Sequence, residues 1–454
     1  MEKAKTNTYL FEEMKISKAV LSLVIPTVIS QIINVIYNIA DTYFVARIGD
    51  PNQVAAVSVC MPLFIFLTGL ANLFGIGGAS LISRCLGAGE RDRASRVSAF
   101  CIWTSFGAAL AYSVVMGLAS SRLLPLIGAN EATLGYCRSY MFYTICLGAV
   151  PTVLNLLMAH LVRSEGYSAQ ASFGMILGGG LNILLDPLLI TGLGLQIRGA
   201  AMATMLSNTV SLMYFAILMY TKRRSTVLSA APGRYTVSGR IPSEVILVGL
   251  PSAMMNITGV ASNIVFNRLM ASYCNEAIAG LGIAKKVDLF GFAIATGMTQ
   301  GVLPLLGYTY SAGMRERMRS AFRTALGYSL AASALIAVIL YTGSELIVTS
   351  FIKDPLTVKY ASMFQKLICL GAPCISVNMM IITTFQATGA KRTPFVLSLL
   401  RKGVLDIPAL YLLDHFFGIE KALWATPAAE ALAMTAALIA FIPLVNNSLL
   451  RLKP

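Results

Sequence analysis

Two aspartates stand where an apolar sequence can least tolerate them. Asp41 lies near the end of PTVISQIINVIYNIADTYFVARIG (26–49), and Asp186 lies within GGGLNILLDPLLI (178–190). A carboxylate inside a membrane span costs at least ~2.5–3.5 kcal/mol on insertion scales, so it normally faces a wet cavity or an ion site. In the first stretch Thr27, Gln31, Asn34, Asn38 and Asp41 recur at spacings of four, three, four and three. At helical periodicity they form one narrow stripe, flanked by Tyr37 and Thr42. The stripe predicts a helix lining a polar cavity; the plainer alternative is that its amides pack helix against helix. In the second stretch Asn182 and Asp186 are four apart and share a helical face. Pro187 and the run Gly178–Gly180 permit local distortion there, and oxygen ligands gather at such breaks. Carboxylates and amides are hard oxygen donors, suited to holding Na⁺ or carrying a proton. Two neighbouring carboxylates resist simultaneous ionisation, and either ion relieves that repulsion.

The elements that position these groups are membrane helices. The chain is 56% hydrophobic and 12% charged, against about 25% charged in soluble proteins, with a mean hydropathy of +0.73. Twelve apolar spans can be placed, from about 18–46 to about 421–447, which predicts an all-α polytopic membrane protein. The net charge of +15 raises the possibility of nucleic acid, but its distribution points to a bilayer. Lys3, Lys5, Lys15 and Lys18 precede span one, Arg84, Arg91, Arg93 and Arg96 follow span two, and Arg315, Arg317, Arg319 and Arg323 follow span eight. Lys222, Arg223, Arg224, Arg234 and Arg240 fill the middle linker. These are alternate loops, as the positive-inside rule requires. The expectation is a multi-pass protein of the cell inner (plasma) membrane with both termini cytoplasmic.

The chain repeats itself. Pro26 is followed by Gln31 and Asn38; Pro251 is followed by Asn256 and Asn263 at the same offsets. GAGERDRASR, from Gly87, echoes SAGMRERMRS, from Ser311, and GAAMAT, from Gly199, echoes KALWAT, from Lys421. The prediction is two six-helix lobes related by an internal repeat: residues 1–221, a basic cytoplasmic linker at 222–242, and residues 243–454. A pathway between such halves is a recurrent transporter design, and Pro26 and Pro251 are placed to bend helices near it. The repeat breaks where chemistry needs it to. Asp41 aligns with Phe266, which puts the ion site in the first half.

These residues resemble the multidrug and toxic compound extrusion (MATE) family across essentially the whole chain. The resemblance rests on Pro26 with IADTYFVARIG, on GAGERDRA, and on LNILLDP. It is closest to the prokaryotic branch with an acidic pair in the N-terminal lobe, which implies a cation site at Asp41, Asn182, Asp186 and Thr204. Another branch carries acidic residues in spans seven and ten, and this chain has none there. The implied function is a secondary active multidrug efflux antiporter working by alternating access. It would export amphipathic, often cationic, organic compounds in exchange for Na⁺ or H⁺. The alternative is a flippase for lipid-linked oligosaccharides or an exporter of other metabolites, whose cavity should be basic; the acidic, amide-rich span one argues against it.

Pro26, Gln31, Asn34, Tyr37, Asn38, Asn155 and Met175 are candidates for the substrate cavity, Met because it repacks around varied shapes. In the second half Lys285, Lys286, Asp288, Arg401, Lys402, Asp406 and Glu430 nearly balance in charge. They predict an internal ion-pair network, the alternative being an anion-binding surface. The eight cysteines are scattered without a CxxC pair, and His160 and His415 are far apart in sequence, so no disulfide framework or zinc site is expected. No GxxxxGK[ST] occurs, so no P-loop hydrolysis of nucleotide is expected. The chain is expected to be no enzyme, to need no cofactor beyond its coupling ion, and to work as a monomer on small molecules in the bilayer.

Overall fold

The computed structural model describes residues 8–418 and 422–444; Lys3, Lys5, Lys421 and both chain ends lie outside them. Helices α1 (Ile16–Ala46), α2 (Pro51–Gly87) and α3 (Arg91–Leu126) are followed by a bent pair, α4 (Glu131–Met141) and α5 (Ala149–Ser164). Next come α6 (Ser168–Asp186), extended by a π-helical turn over Pro187–Gly192, and α7 (Gln196–Thr221). The second half begins with α8 (Ile241–Ala271), α9 (Asn275–Ser311), α10 (Arg315–Thr342) and the short α11 (Ser344–Phe351). A second bent pair, α12 (Pro355–Cys369) and α13 (Ala372–Ala387), precedes α14 (Arg392–Leu399), a π-helical turn (Leu400–Leu405) and α15 (Asp406–Phe417). The last is α16 (Ala425–Leu444). No strand occurs among the described residues.

Nine of these helices are long and apolar enough to cross a membrane, and each bent pair passes the same test as one span. The segment 392–417 completes twelve, set apart by Arg401, Lys402 and Asp406 in its middle. At 1.5 Å per residue the 31 residues of α1 reach about 46 Å, more than the ~30 Å hydrocarbon core. Large apolar side chains face outward, with Leu118 and Leu126 83% exposed and Leu346 79%. Only an apolar surrounding makes such a surface favourable.

The repeat is visible in backbone geometry. The bends, 49° between α4 and α5 and 42° between α12 and α13, fall at Gly148 and Gly371, which lie at the repeat separation. Both helices that carry the leading prolines, Pro26 and Pro251, run uninterrupted. The GAG and SAG segments end α2 and α9 alike, through Gly89 and Gly313 at φ +77° and +72°, a conformation that favours glycine.

Contacts divide the chain into two compact units. One holds Ile32–Ala253 and the described residues up to Glu13; the other holds Met14–Gln31 and the described residues from Met254. The division cuts α1 and α8 in mid-helix. In the first unit a Cβ on Gly77 would stand 2.0 Å from the Val245 carbonyl oxygen, and one on Gly249 1.8 Å from that of Leu73. Helices α2 and α8 therefore meet backbone to backbone. In the second unit a Cβ on Gly301 or Gly297 of α9 would stand 2.8 or 2.6 Å from the Cα of Val24 or Val28 of α1, a close though less tight approach.

The middle linker is fastened to the first unit. Glu165 accepts hydrogen bonds from the Thr226 hydroxyl (2.5 Å) and the Val227 N–H (2.6 Å), and Val227 and Leu228 are buried. The Ser229 N–H donates to Ser98 Oγ (2.8 Å), and Trp103 Nε1 donates to the Ala230 carbonyl (3.0 Å).

The backbone contact at Gly249 leaves no room for a methyl group. Gly249→Ala is expected to cost about 1–3 kcal/mol through overpacking. Gly259→Ala, on the same helix with open space at its Cβ, should stay within about 0.5 kcal/mol or gain slightly. Thermal unfolding of the purified variants in one detergent measures both.

Candidate functional site

Helix α6 ends at Asp186 because Pro187 follows. Proline offers no N–H to the preceding turn, and the chain widens into the π-helical turn that runs to Gly192. One turn earlier is Asn182; the two residues are 1% and 0% exposed. Gly179 lets α6 approach α1, since a Cβ there would lie 3.3 Å from the Tyr37 ring. That approach sets Asp41 of α1 within electrostatic reach of Asp186, and both carboxylates within reach of Tyr37 and Tyr140. From the same α6, Asn182 Nδ2 donates to Thr204 Oγ1 of α7 over a long 3.5 Å. Asp41, Asn182, Asp186 and Thr204 thus come from three helices of the first unit.

The oxygens of this group are poorly served by the protein. Both carboxylate oxygens of Asp186, Oδ1 of Asp41 and Oδ1 of Asn182 are buried without a hydrogen-bond partner. An unpaired buried charge is far costlier than an unpaired amide, so the arrangement calls for a proton or a hard cation. Among the described residues no group of three His, Cys, Asp or Glu side chains is placed to hold a metal ion. Two carboxylates with neutral oxygens are hard donors, of the kind that take up a proton or a hard cation.

The stripe on α1 does not stay together. Thr27 is fully buried and bonds the Leu23 carbonyl of its own helix at 2.8 Å. Gln31 Nε2 donates to Gln300 Oε1 at 2.9 Å within the second unit. Asn34, Asn38 and Asp41 belong to the first unit, where Asn38 Nδ2 donates to the Asn34 carbonyl at 2.7 Å. Pro26 is half-buried in the helix. Met175 packs against the core that contains Phe215. Asn155 is committed elsewhere: it donates to Asn208 Oδ1 (3.1 Å) and accepts from the Ser211 hydroxyl (2.6 Å), while Asn208 donates to Thr152 Oγ1 (3.1 Å).

Sequence reasoning passed over Tyr140, Asn208 and Ser211. The last two carried a signal, because Thr204, Asn208 and Ser211 repeat on α7 the four-and-three spacing of the α1 stripe. Tyr140 carried none, being one aromatic in an aromatic-rich segment.

The second unit pairs four of its charged groups, Arg401, Lys402, Asp406 and Glu430, with one another. Arg401 Nε meets Glu430 at 2.7 Å with both side chains 1% exposed, and Lys402 meets Glu430 at 3.3 Å and Asp406 at 3.7 Å. Asp406 Oδ2 accepts from Ser262 (2.5 Å), and Lys285 donates to Asn263 Oδ1 (2.5 Å).

A sequence model of the MatE family matches this chain twice, over residues 26–188 and 251–412. The matches begin at Pro26 and Pro251, the prolines that anchor the internal repeat. The multidrug export protein MepA of Staphylococcus saprophyticus is 30% identical over 95% of this chain and 94% of its own length. MepA of Staphylococcus aureus is 29% identical over the same shares. Among solved structures, an outward-facing multidrug resistance transporter of the MATE family superposes with a TM-score of 0.88 at 24% identity, over 96% of each chain. A transporter of the MOP superfamily from Pyrococcus furiosus gives 0.91 at 22% identity, over 97% of this chain and 98% of the other.

The ion pairs of the second unit generate a stability prediction. Glu430→Gln takes the carboxylate from two cations at once, one of them fully enclosed. It is expected to destabilise the protein by about 3–5 kcal/mol, whereas Asp92→Asn, which loosens only exposed arginines, should cost less than about 1 kcal/mol. Comparative thermal unfolding measures the difference.

Proposed function

This chain belongs to the MatE family, and on that premise we propose that it is an antiporter that exports amphipathic, often cationic, organic compounds in exchange for Na⁺ or H⁺. The relatives named as multidrug export proteins support the substrate class. The observation that carries the coupling is the set of buried oxygens without partners on Asp41, Asn182 and Asp186. Such a site favours whichever state brings it a cation or a proton, and so can tie a conformational equilibrium to an ion gradient. Thr204 would complete the oxygen shell. Gln31, Asn34, Tyr37 and Asn38 would meet the substrate on α1, with Pro26 and Met175 nearby. Asn155 would act through its network with Asn208 and Ser211. The basic ends of α2, α3, α7, α9 and α10 would face the cytoplasm, as would both termini, and one chain in the inner membrane would be sufficient.

Uptake of a fluorescent organic cation into proteoliposomes, under Na⁺ and proton gradients imposed separately, tests this reading and identifies the ion. Asp41→Asn is expected to abolish gradient-driven transport while the protein still purifies as a monodisperse species. Transport by that variant at the wild-type rate removes the coupling role.

Two carboxylates also bear on stoichiometry. A monocationic substrate exchanged for one cation moves no net charge and draws only on the ion's chemical gradient. Two positive charges moving inward per substrate exported would also draw on the membrane potential, worth ~2.3 kcal/mol per charge per 100 mV. Export of a monocation is therefore expected to accelerate when a valinomycin clamp makes the substrate-loaded side negative at fixed gradients of the coupling ion. A rate indifferent to the clamp would establish one-for-one exchange.

A further inference from the structure

Away from the carboxylates, the first unit contains a cleft of about 540 Å³ between the start of α3, the end of α7 and the linker segment 226–234. Three arginines line it: Arg91 at the start of α3, Arg223 just past the end of α7, and Arg234 of the linker. One lining residue is a carboxylate, Asp92, which already meets Arg96 at 2.8 Å and Arg234 at 3.3 Å; the buried Glu165 behind Thr226 and Val227 is a second negative group, within the field of Arg91. Neither Arg91 nor Arg223 takes part in an ion pair among the described residues. Arg223 lies over the Tyr220 ring at 4.8 Å, and Arg91 is exposed.

The linker wall is fixed rather than loose. Glu165 holds Thr226 and Val227, and the Ser98 hydroxyl both accepts from the Ser229 N–H (2.8 Å) and donates to the Ser229 carbonyl (3.2 Å). These bonds occupy the N–H groups of Val227 and Ser229, so recognition of a ligand falls to the guanidiniums. Arginine presents a planar fork that matches the oxygens of a phosphate. The volume lies within the range of small-ligand pockets. Beside the cleft stand aromatics with polar tips, Trp103, Tyr220 and Tyr235, which are 38%, 67% and 42% exposed. Residues of this type collect at the headgroup level of a bilayer.

We propose that this cleft binds a phosphate ester anion, held by Arg91, Arg223 and Arg234 against the fastened linker. Two sources share that chemistry, the headgroup of an acidic phospholipid and a soluble phosphate. The protein supplies its own reporter: the sequence has two tryptophans, Trp103 and Trp424, and Trp103 is bonded to the linker at Ala230. Trp424→Phe therefore leaves one emitter beside the cleft.

The test uses the full chain with that substitution, in phosphatidylcholine nanodiscs. In one arm, phosphatidylglycerol with brominated acyl chains is titrated against brominated phosphatidylcholine. In the other, inorganic phosphate is titrated with chloride as control. Quenching that saturates at a low fraction of phosphatidylglycerol, with a half-saturation raised roughly 30-fold in Arg91→Gln/Arg223→Gln (about five-fold per arginine), supports the site and assigns it to lipid. A saturable phosphate response lost in the same double variant, without preference between the lipids, supports the site and assigns it to a soluble anion. Equal response to both lipids with no phosphate effect overturns the proposal, as does any response that the double variant retains in full. Native mass spectrometry of the chain with its natural tryptophans, counting retained phosphatidylglycerol in wild type and double variant, checks the lipid assignment without the reporter substitution.

Discussion

A polar atom enclosed in an apolar body has no water to turn to, and the arrangement of this protein follows from where each such atom finds a partner. Hydroxyls mostly turn back on their own helices: Thr27 to Leu23, Thr309 to Leu305, Thr384 to Met380. Amides pair across helices, as Gln31 does with Gln300 and Asn155 with Asn208. Among the described residues only Asp186 keeps both carboxylate oxygens buried and unpartnered. Asp41 stands within its field, and the pair concentrates in one place a demand for positive charge that Glu430, between Arg401 and Lys402, has met internally.

The two repeats share a backbone and divide the chemistry. Where α1 carries Asp41, α8 carries Phe266, 1% exposed and packed in an apolar cluster with Leu281 and Phe364. Where α6 leaves Asp186 open, the corresponding stretch around Asp406 is supplied with Lys402, Ser262 and, through Glu430, Arg401. One unit sets Asp406 and Glu430 beside cations, and the other leaves the Asp186 carboxylate without one.

Much of this was legible in the sequence, for identifiable reasons. Pro26 and Pro251, the glycines after α2 and α9, and the basic runs that follow them repeat as local patterns, so the twelve-span architecture could be read directly. The two aspartates drew attention because a carboxylate in an apolar run is costly wherever it sits, and Asn182 because it shares a helical face with Asp186. What could not be read was pairing at a distance. The five-residue stripe on α1 looked continuous, yet Thr27 satisfies its own helix and Gln31 joins the other unit; only three-dimensional packing separates them. The linker read as a basic bridge between the halves, with nothing local to show that Glu165, more than sixty residues away from Val227, fastens it. The bends at Gly148 and Gly371 each have a proline just beyond them, Pro151 and Pro373, a signal passed over in favour of Pro26 and Pro251; Tyr140 had nothing local to distinguish it.

The mid-helix division of α1 and α8 means that the sequence repeat and the packing unit do not coincide. Residues 14–31 count with the second unit, and α8 up to Ala253 counts with the first. A cut in the linker at 222–240 would therefore part each unit from a half-helix that belongs to it, so neither half of the sequence carries all the residues of its own unit.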